Sequence, residues 1–207
     1  MMAPRILKAD DPEAMASALE VLSGGGLVAF PTDTVYGVGA PAFDVRSVER
    51  IFVAKGRQPE KALPILLADL TSASRVAQPF SAEVRRLAEA FWPGPLTLVV
   101  LKLPVVPESV SRGPTIGLRV PDHPVALQLL RASGPLAATS ANPSGGPDPR
   151  TAEEVAAGLG GGVDLILDGG AVPGGRASTV VDCTVSPPKL IREGPLGLDA
   201  ILAALRG

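Results

Sequence analysis

The chain has 207 residues, of which 46% are hydrophobic, 19% charged and 3% aromatic, and its formal net charge is −2 at pH 7. That length and apolar content suit one domain with a sizeable core, whereas the acidic balance and scarce aromatics argue against a nucleic-acid surface with a base-stacking platform. One cysteine and one histidine exclude an internal disulfide framework and a structural zinc site.

The opening stretch MMAPRILKADDPEAM has acidic residues where a signal peptide would be apolar, and no run of about eighteen apolar residues occurs anywhere. A cytoplasmic protein without a membrane span is expected. Arg5 to Lys8 reads as a first strand. Asp11-Pro12-Glu13 starts a helix that carries Met15, Leu19 and Leu22 and stops at Gly24-Gly25-Gly26. Leu27 to Phe30 is a short apolar strand ended by Pro31, and Gly37 with Gly39 reads as a glycine-rich turn. From Val45, the residues Val48, Ile51 and Phe52 recur at helical spacing, with Asp44 as N-cap and Gly56 as the stop.

Leu63 to Ala68 is a continuous apolar run, as in a strand buried on both faces. A short helix begins at Asp69, and a longer one runs from Ser81 to Trp92, where Pro93-Gly94-Pro95 breaks the chain. Leu96 to Leu103 and Thr115 to Val120 read as strands, Val125 to Arg131 as a helix, and Leu136 to Thr139 as a short strand. The Gly- and Pro-rich stretch Pro143 to Arg150 is expected to be a mobile loop. Thr151 and Glu154 match a capping box opening a helix to about Gly158. Val163 to Leu167, Ser178 to Cys183 and Lys189 to Arg192 read as strands, and Leu198 to Leu205 as a last helix. Strands and helices alternate, but some strands follow one another directly. That predicts one α/β domain over residues 1–207 with a twisted mixed sheet flanked by helices.

The chemistry gathers at strand ends. Thr32 and Thr34 are alternate residues after a buried strand, so both can face one pocket. Lys55 and Arg57 flank Gly56, Lys61 follows closely, and such cations could clamp a polyanion. The same residues would equally serve a helix C-terminus, whose dipole favours positive charge. Ser140 and Asn142 follow one strand, and Ser178 begins another after Gly174-Gly175-Arg176. Arg119, between Leu118 and Val120, either pairs with a buried carboxylate or reaches into a cleft, and Arg192 ends a strand. The one histidine, His123, sits at a helix start, where a capping or turn role outweighs a catalytic one. No GxxxxGK[ST] or GxGxxG phosphate loop and no GxSxG elbow occurs. Hydroxyls, amides and cations without a covalent nucleophile suit a reaction driven by positioning and charge neutralisation, such as phosphoryl or adenylyl transfer.

Seven segments in order, FPTDTVYGVG, KGR with Lys61 beyond it, WPGPLT, LRVPDHP, TSANPSG, STVVD and IREG, resemble the YrdC/Sua5 family of threonylcarbamoyl-adenylate synthases of tRNA modification. The resemblance spans residues 9–194 and implies a twisted α/β fold with a concave, positively charged groove. It implies that L-threonine, bicarbonate and ATP give threonylcarbamoyl-AMP and pyrophosphate, with Mg²⁺ accompanying ATP and no protein metal site. Carried onto this chain, it places Lys55 and Arg57 in catalysis. Lys55, Arg57, Lys61, Thr115, Ser140, Asn142 and Arg192 are expected at ATP, and Thr32, Thr34, Arg119 and Ser178 at threonine. It further implies partner proteins that use the adenylate, and weak RNA binding. Departures are Gln58 for the usual Pro after the KxR, and Leu66 where Sua5-like members often carry a threonine-contacting histidine. The chain ends near its last helix, so the additional C-terminal domain of longer members is expected to be absent. The alternatives are a YciO-type paralogue, or an RNA-binding module of the same fold without this activity. A hydrogenase-maturation enzyme is disfavoured by the missing cysteine-rich and acylphosphatase segments.

Overall fold

The computed structural model describes residues 3–206. In chain order its strands and helices are β1 (Arg5–Lys8), α1 (Ala14–Ser23), β2 (Val28–Phe30), β3 (Gly37–Pro41), α2 (Val45–Lys55), β4 (Ile65–Leu66), α3 (Ala82–Phe91), β5 (Leu96–Leu101), β6 (Thr115–Arg119), α4 (Pro124–Ser133), β7 (Leu136–Ser140), α5 (Ala152–Leu159), β8 (Leu165–Asp168), β9 (Thr179–Asp182), β10 (Lys189–Arg192) and α6 (Leu198–Arg206). The strands form one sheet in the order β1-β8-β2-β3-β7-β4-β6-β5-β9-β10. Pairs β1–β8, β2–β8, β4–β6 and β5–β9 are parallel and the others antiparallel, so the sheet is mixed as expected.

The two faces of this sheet are covered unequally, and that difference makes the site. On one face, Leu98 and Val100 of β5, Ile116 and Leu118 of β6, and Val181 of β9 pack with Ile51 of α2, Leu87 of α3 and Ile201 of α6. On the other, Val28, Phe30, Leu136, Leu165 and Leu167 pack with Ala14, Ala18 and Leu22 of α1 and Leu129 and Leu130 of α4. Those two helices therefore cover β8, β2 and β7. Across β6, β5 and β9 the same face is lined instead by Gly117, Thr97, Val99 and Val180, which face a cavity. Among the described residues no helix is long and apolar enough to cross a membrane.

Four sequence expectations are corrected or refined. Gly37 and Gly39 lie within β3, not in a turn, because the Phe30 ring covers that strand: a Cβ on Gly39 would come 3.2 Å from Phe30 Cε1. Pro143 to Arg150 is tied down rather than loose. Its backbone meets Lys55 through Ser144 N (2.8 Å), Tyr36 through Pro149 O (2.9 Å) and Val172 through Arg150 O (2.9 Å). The short helix expected at Asp69 is a 3₁₀ turn, Thr71–Arg75, whose Thr71 and Ser72 donate to the Asp69 carboxylate just before it. The capping box is half formed: Thr151 Oγ1 accepts from Glu154 N, but Glu154 reaches back to Arg150 N.

Candidate active site

Three local structures bring the polar groups together. Pro31 ends β2, and the chain turns through Thr32, whose hydroxyl donates to Val35 O at 2.7 Å and accepts from the Thr34 and Val35 amides. With its proton engaged there, Thr32 Oγ1 accepts from Thr34 Oγ1 at 3.1 Å. Thr34 Oγ1 then has a lone pair for Arg119 Nη1 at 3.0 Å. Arg119 ends β6 and is 6% exposed. Its Nε donates to Gly94 O at 3.0 Å and its Nη2 to Asp33 Oδ1 at 2.6 Å. A guanidinium has five N–H groups, so one on each terminal nitrogen remains for a ligand.

The second structure is the end of α2. Asp44 caps the helix through Arg46 N and Ser47 N, and Gly56 closes it in the left-handed region at φ 59°. Lys55 and Arg57 take different partners on the two sides of this stop, yet Arg57 remains near enough to act on the Lys55 charge. Lys55 is buried, and its Nζ donates to Ser140 O (2.5 Å), Asn142 O (2.5 Å) and Asn142 Oδ1 (3.2 Å). Burial above all, with Arg57 assisting, pushes its pKa down to about 8. Arg57 lines the cavity, anchored by long bonds to Lys61 O (3.4 Å) and Ala62 O (3.1 Å).

The third is the β9–β10 edge. Ser178 Oγ lies 2.7 Å from Thr97 Oγ1 of β5. Arg192 donates to Ser178 O through Nε (3.1 Å) and Nη2 (2.8 Å). These groups surround a cavity of about 350 Å³, near the lower end of the roughly 300–1,000 Å³ of small-molecule sites. Arg57, Arg119 and Arg192 line it, and no carboxylate side chain does. Burial lowers the pKa of all three arginines, yet a guanidinium stays charged. One carboxylate, Asp33, is ion-paired with Arg119. Asp148 also acts on Arg192 from a distance, so three arginines with two carboxylates near them leave the lining net positive, which suits an anion.

Of the residues expected at the site, Thr32, Thr34, Arg57, Arg119, Ser140, Ser178 and Arg192 line this cavity. Lys55 and Asn142 sit behind Ser140, whose Oγ donates to Asn142 Oδ1 at 2.6 Å. Lys61 is exposed outside the lining, and Thr115 is at the opposite end of β6 from Arg119. Leu66, the expected departure from the family pattern, lines the cavity as part of its apolar wall. Sequence reasoning missed Asp33, Thr97 and the Gly94 carbonyl. A buried arginine demands a carboxylate, and Asp33 lies between two threonines already singled out, so that signal was available; the Gly94 carbonyl left none.

Residues 20–194 match the Sua5/YciO/YrdC family model, described as telomere recombination. The chain is 47% identical over 179 residues to the threonylcarbamoyl-AMP synthase of Pyrococcus abyssi, covering 86% of this chain and 53% of that protein. It spans little more than half the length of the first curated relatives it matches. The crystal structure of P. abyssi Sua5 complexed with L-threonine superposes with a TM-score of 0.90 at 41% identity, covering 99% of this chain and 60% of that one. E. coli YciO superposes at 0.84 with 28% identity, covering 97% of this chain and all of YciO.

Proposed function

Because the chain belongs to the Sua5/YciO/YrdC family, we propose that it makes threonylcarbamoyl-AMP and pyrophosphate from L-threonine, bicarbonate and ATP, a nucleotidyl transfer serving tRNA modification. The observation that carries the proposal is the pairing, in one cavity, of a held guanidinium with two spare N–H groups and two further arginines. Arg119 takes the threonine carboxylate as a bidentate fork beside Thr34. Arg57 and Arg192 take the phosphate charge, and Ser140, Asn142 and Ser178 orient the substrates. Lys55 acts by holding the Ser140–Asn142 segment, while Lys61 meets the nucleotide only at the rim and Thr115 from the far end of β6.

In the reaction, bicarbonate takes up a proton and loses water to give CO₂, and threonine nitrogen then bonds its carbon and loses a proton, giving a carbamate. A carbamate oxygen then bonds the α-phosphorus as the bond to the bridging oxygen breaks and pyrophosphate leaves. Concentrated positive charge stabilises both the leaving group and the anionic nucleophile. Among the described residues no cluster of three or more His, Cys, Asp or Glu could hold a metal. The donor set therefore fits Mg²⁺ only as an ion brought by the phosphates, where it would neutralise their charge.

The test is pyrophosphate release by the purified protein with each substrate omitted in turn. Release that needs threonine and bicarbonate, and falls with L-serine, is expected. Absence of release in every combination would move the assignment to a YciO-like activity, which the superposition over all of YciO favours as the second reading. Proteins that use the adenylate, weak RNA contact and a cytoplasmic location belong to the same proposal.

A further inference from the structure

Two buried polar atoms beside the arginine fork have no hydrogen-bond partner: Asp33 Oδ2 and His123 Nδ1. They belong to neighbouring pieces of one constellation. Asp33 Oδ1 accepts from Arg119 Nη2 at 2.6 Å and from the Asp122 amide at 3.0 Å, and His123 is the next residue. Unpartnered buried polar atoms are costly and rare. These two are chemically complementary, since a carboxylate oxygen only accepts and an imidazole nitrogen can donate. His123 occupies the N-cap position of α4 but makes no side-chain cap bond, so the capping role expected for it does not account for its ring. The ring packs at Gly169: a Cβ there would lie 3.5 Å from His123 Cε1 and 2.8 Å from Pro31 Cγ. A Cβ at 169 would make ordinary contact with the imidazole and would clash with Pro31 instead.

We propose that His123 is a positioning residue: by a small side-chain movement its Nδ1–H takes the second oxygen of Asp33, the two atoms being left without partner or solvent in this structure, and so fixes Asp33 and Arg119 for the substrate carboxylate. The assignment of that carboxylate to threonine rests on the function proposed above. Asp33 needs both oxygens anchored because a carboxylate held at one can rotate and carry the guanidinium with it. The charged groups acting on His123 are Asp33 from the loop after β2 and Asp122 beside it. Arg119 lies behind Asp33. Burial lowers the His123 pKa and the two neighbouring aspartates oppose that shift, so the ring is neutral at pH 7 and its tautomer decides the contact.

His123 is the chain's one histidine, so imidazole ¹⁵N resonances of untagged protein report it alone. The expected spectrum is the neutral Nδ1–H tautomer. In Asp33→Asn the pKa falls and that tautomer is lost. The neutral Nε2–H form in the wild type would overturn the proposal whether or not the protein makes the adenylate. With threonine as substrate, His123→Leu should raise the threonine KM about tenfold while the ATP KM stays within twofold. His123→Asn, which keeps a donor near the Nδ1 position, should restore most of the loss. An equal rise for both substrates, no rise, or absence of rescue would make the ring merely structural. Should His123→Leu fail to fold, the tautomer and His123→Asn decide alone.

Discussion

Arg57 and Arg119 both face the cavity, but they are held differently. Arg119 is fixed by a carbonyl, a hydroxyl and a carboxylate, whereas Arg57 has only two long bonds to backbone oxygens. Arg57→Ala should therefore leave the melting temperature within about 2 °C, while kcat/KM for ATP falls at least ~100-fold, as expected on losing a charge-assisted phosphate contact. Retention of wild-type pyrophosphate release would remove Arg57 from the phosphate site. Lys55 yields a different test. Its pKa is lowered from 10.5 to about 8 in the folded chain. Between those values the unfolded state binds more protons, so stability rises with pH across that window. Urea midpoints of wild type and Lys55→Met should diverge from about pH 8 to pH 10, wild type gaining. Parallel curves would show that Lys55 does not titrate there.

At the scale of elements, the turn at the end of α2 sets where Arg57 leaves the helix that carries Lys55. Gly56 has φ 59°, and a Cβ there would meet nothing within 4 Å. Gly56→Ala therefore tests backbone strain alone and should cost about 1–2 kcal/mol in urea unfolding. A neutral result would show that the turn relaxes to a right-handed form, and ATP kinetics should then change. The glycine stop was legible in the sequence, but its consequence was not. Counting residues places Lys55 and Arg57 two apart but not which partner each takes: Lys55, still inside the helix, reaches Ser140 and Asn142, and Arg57, beyond the left-handed stop, reaches the cavity. The helices were legible because their apolar spacing and caps are local, as Asp44 and Ser81 show. β3 was not, because Gly37 and Gly39 reflect the Phe30 ring lying across the strand, a contact that composition cannot display. Asp33 stands between the two cases: a buried arginine announces the need for a carboxylate, but the pairing itself spans 86 residues.

For the molecule as a whole, the site follows from incomplete coverage of a sheet. Helices α1 and α4 pack on β8, β2 and β7, and the uncovered strands present Gly117, Thr97 and Val180 to the cavity. Three arginines around that opening give an otherwise acidic chain one place for a polyanion. Pyrophosphate, the proposed product, should thus bind the folded state alone. At about one hundred times its Kd it would add about 2.7 kcal/mol, or roughly 5–10 °C in melting temperature for a chain of this size. Arg57→Ala and Arg192→Ala should each shrink that shift at matched ionic strength. An RNA-binding surface on the same arginines predicts something else. Three phosphate contacts to single-stranded RNA would give a slope of about −2 in log affinity against log salt concentration. Such binding would compete with pyrophosphate but show no response to threonine. A thermal shift with pyrophosphate that grows when threonine is added selects the synthase, since only a site holding both ligands couples them. A shift indifferent to threonine would leave the arginines as an anion site and sever them from the fork at Arg119.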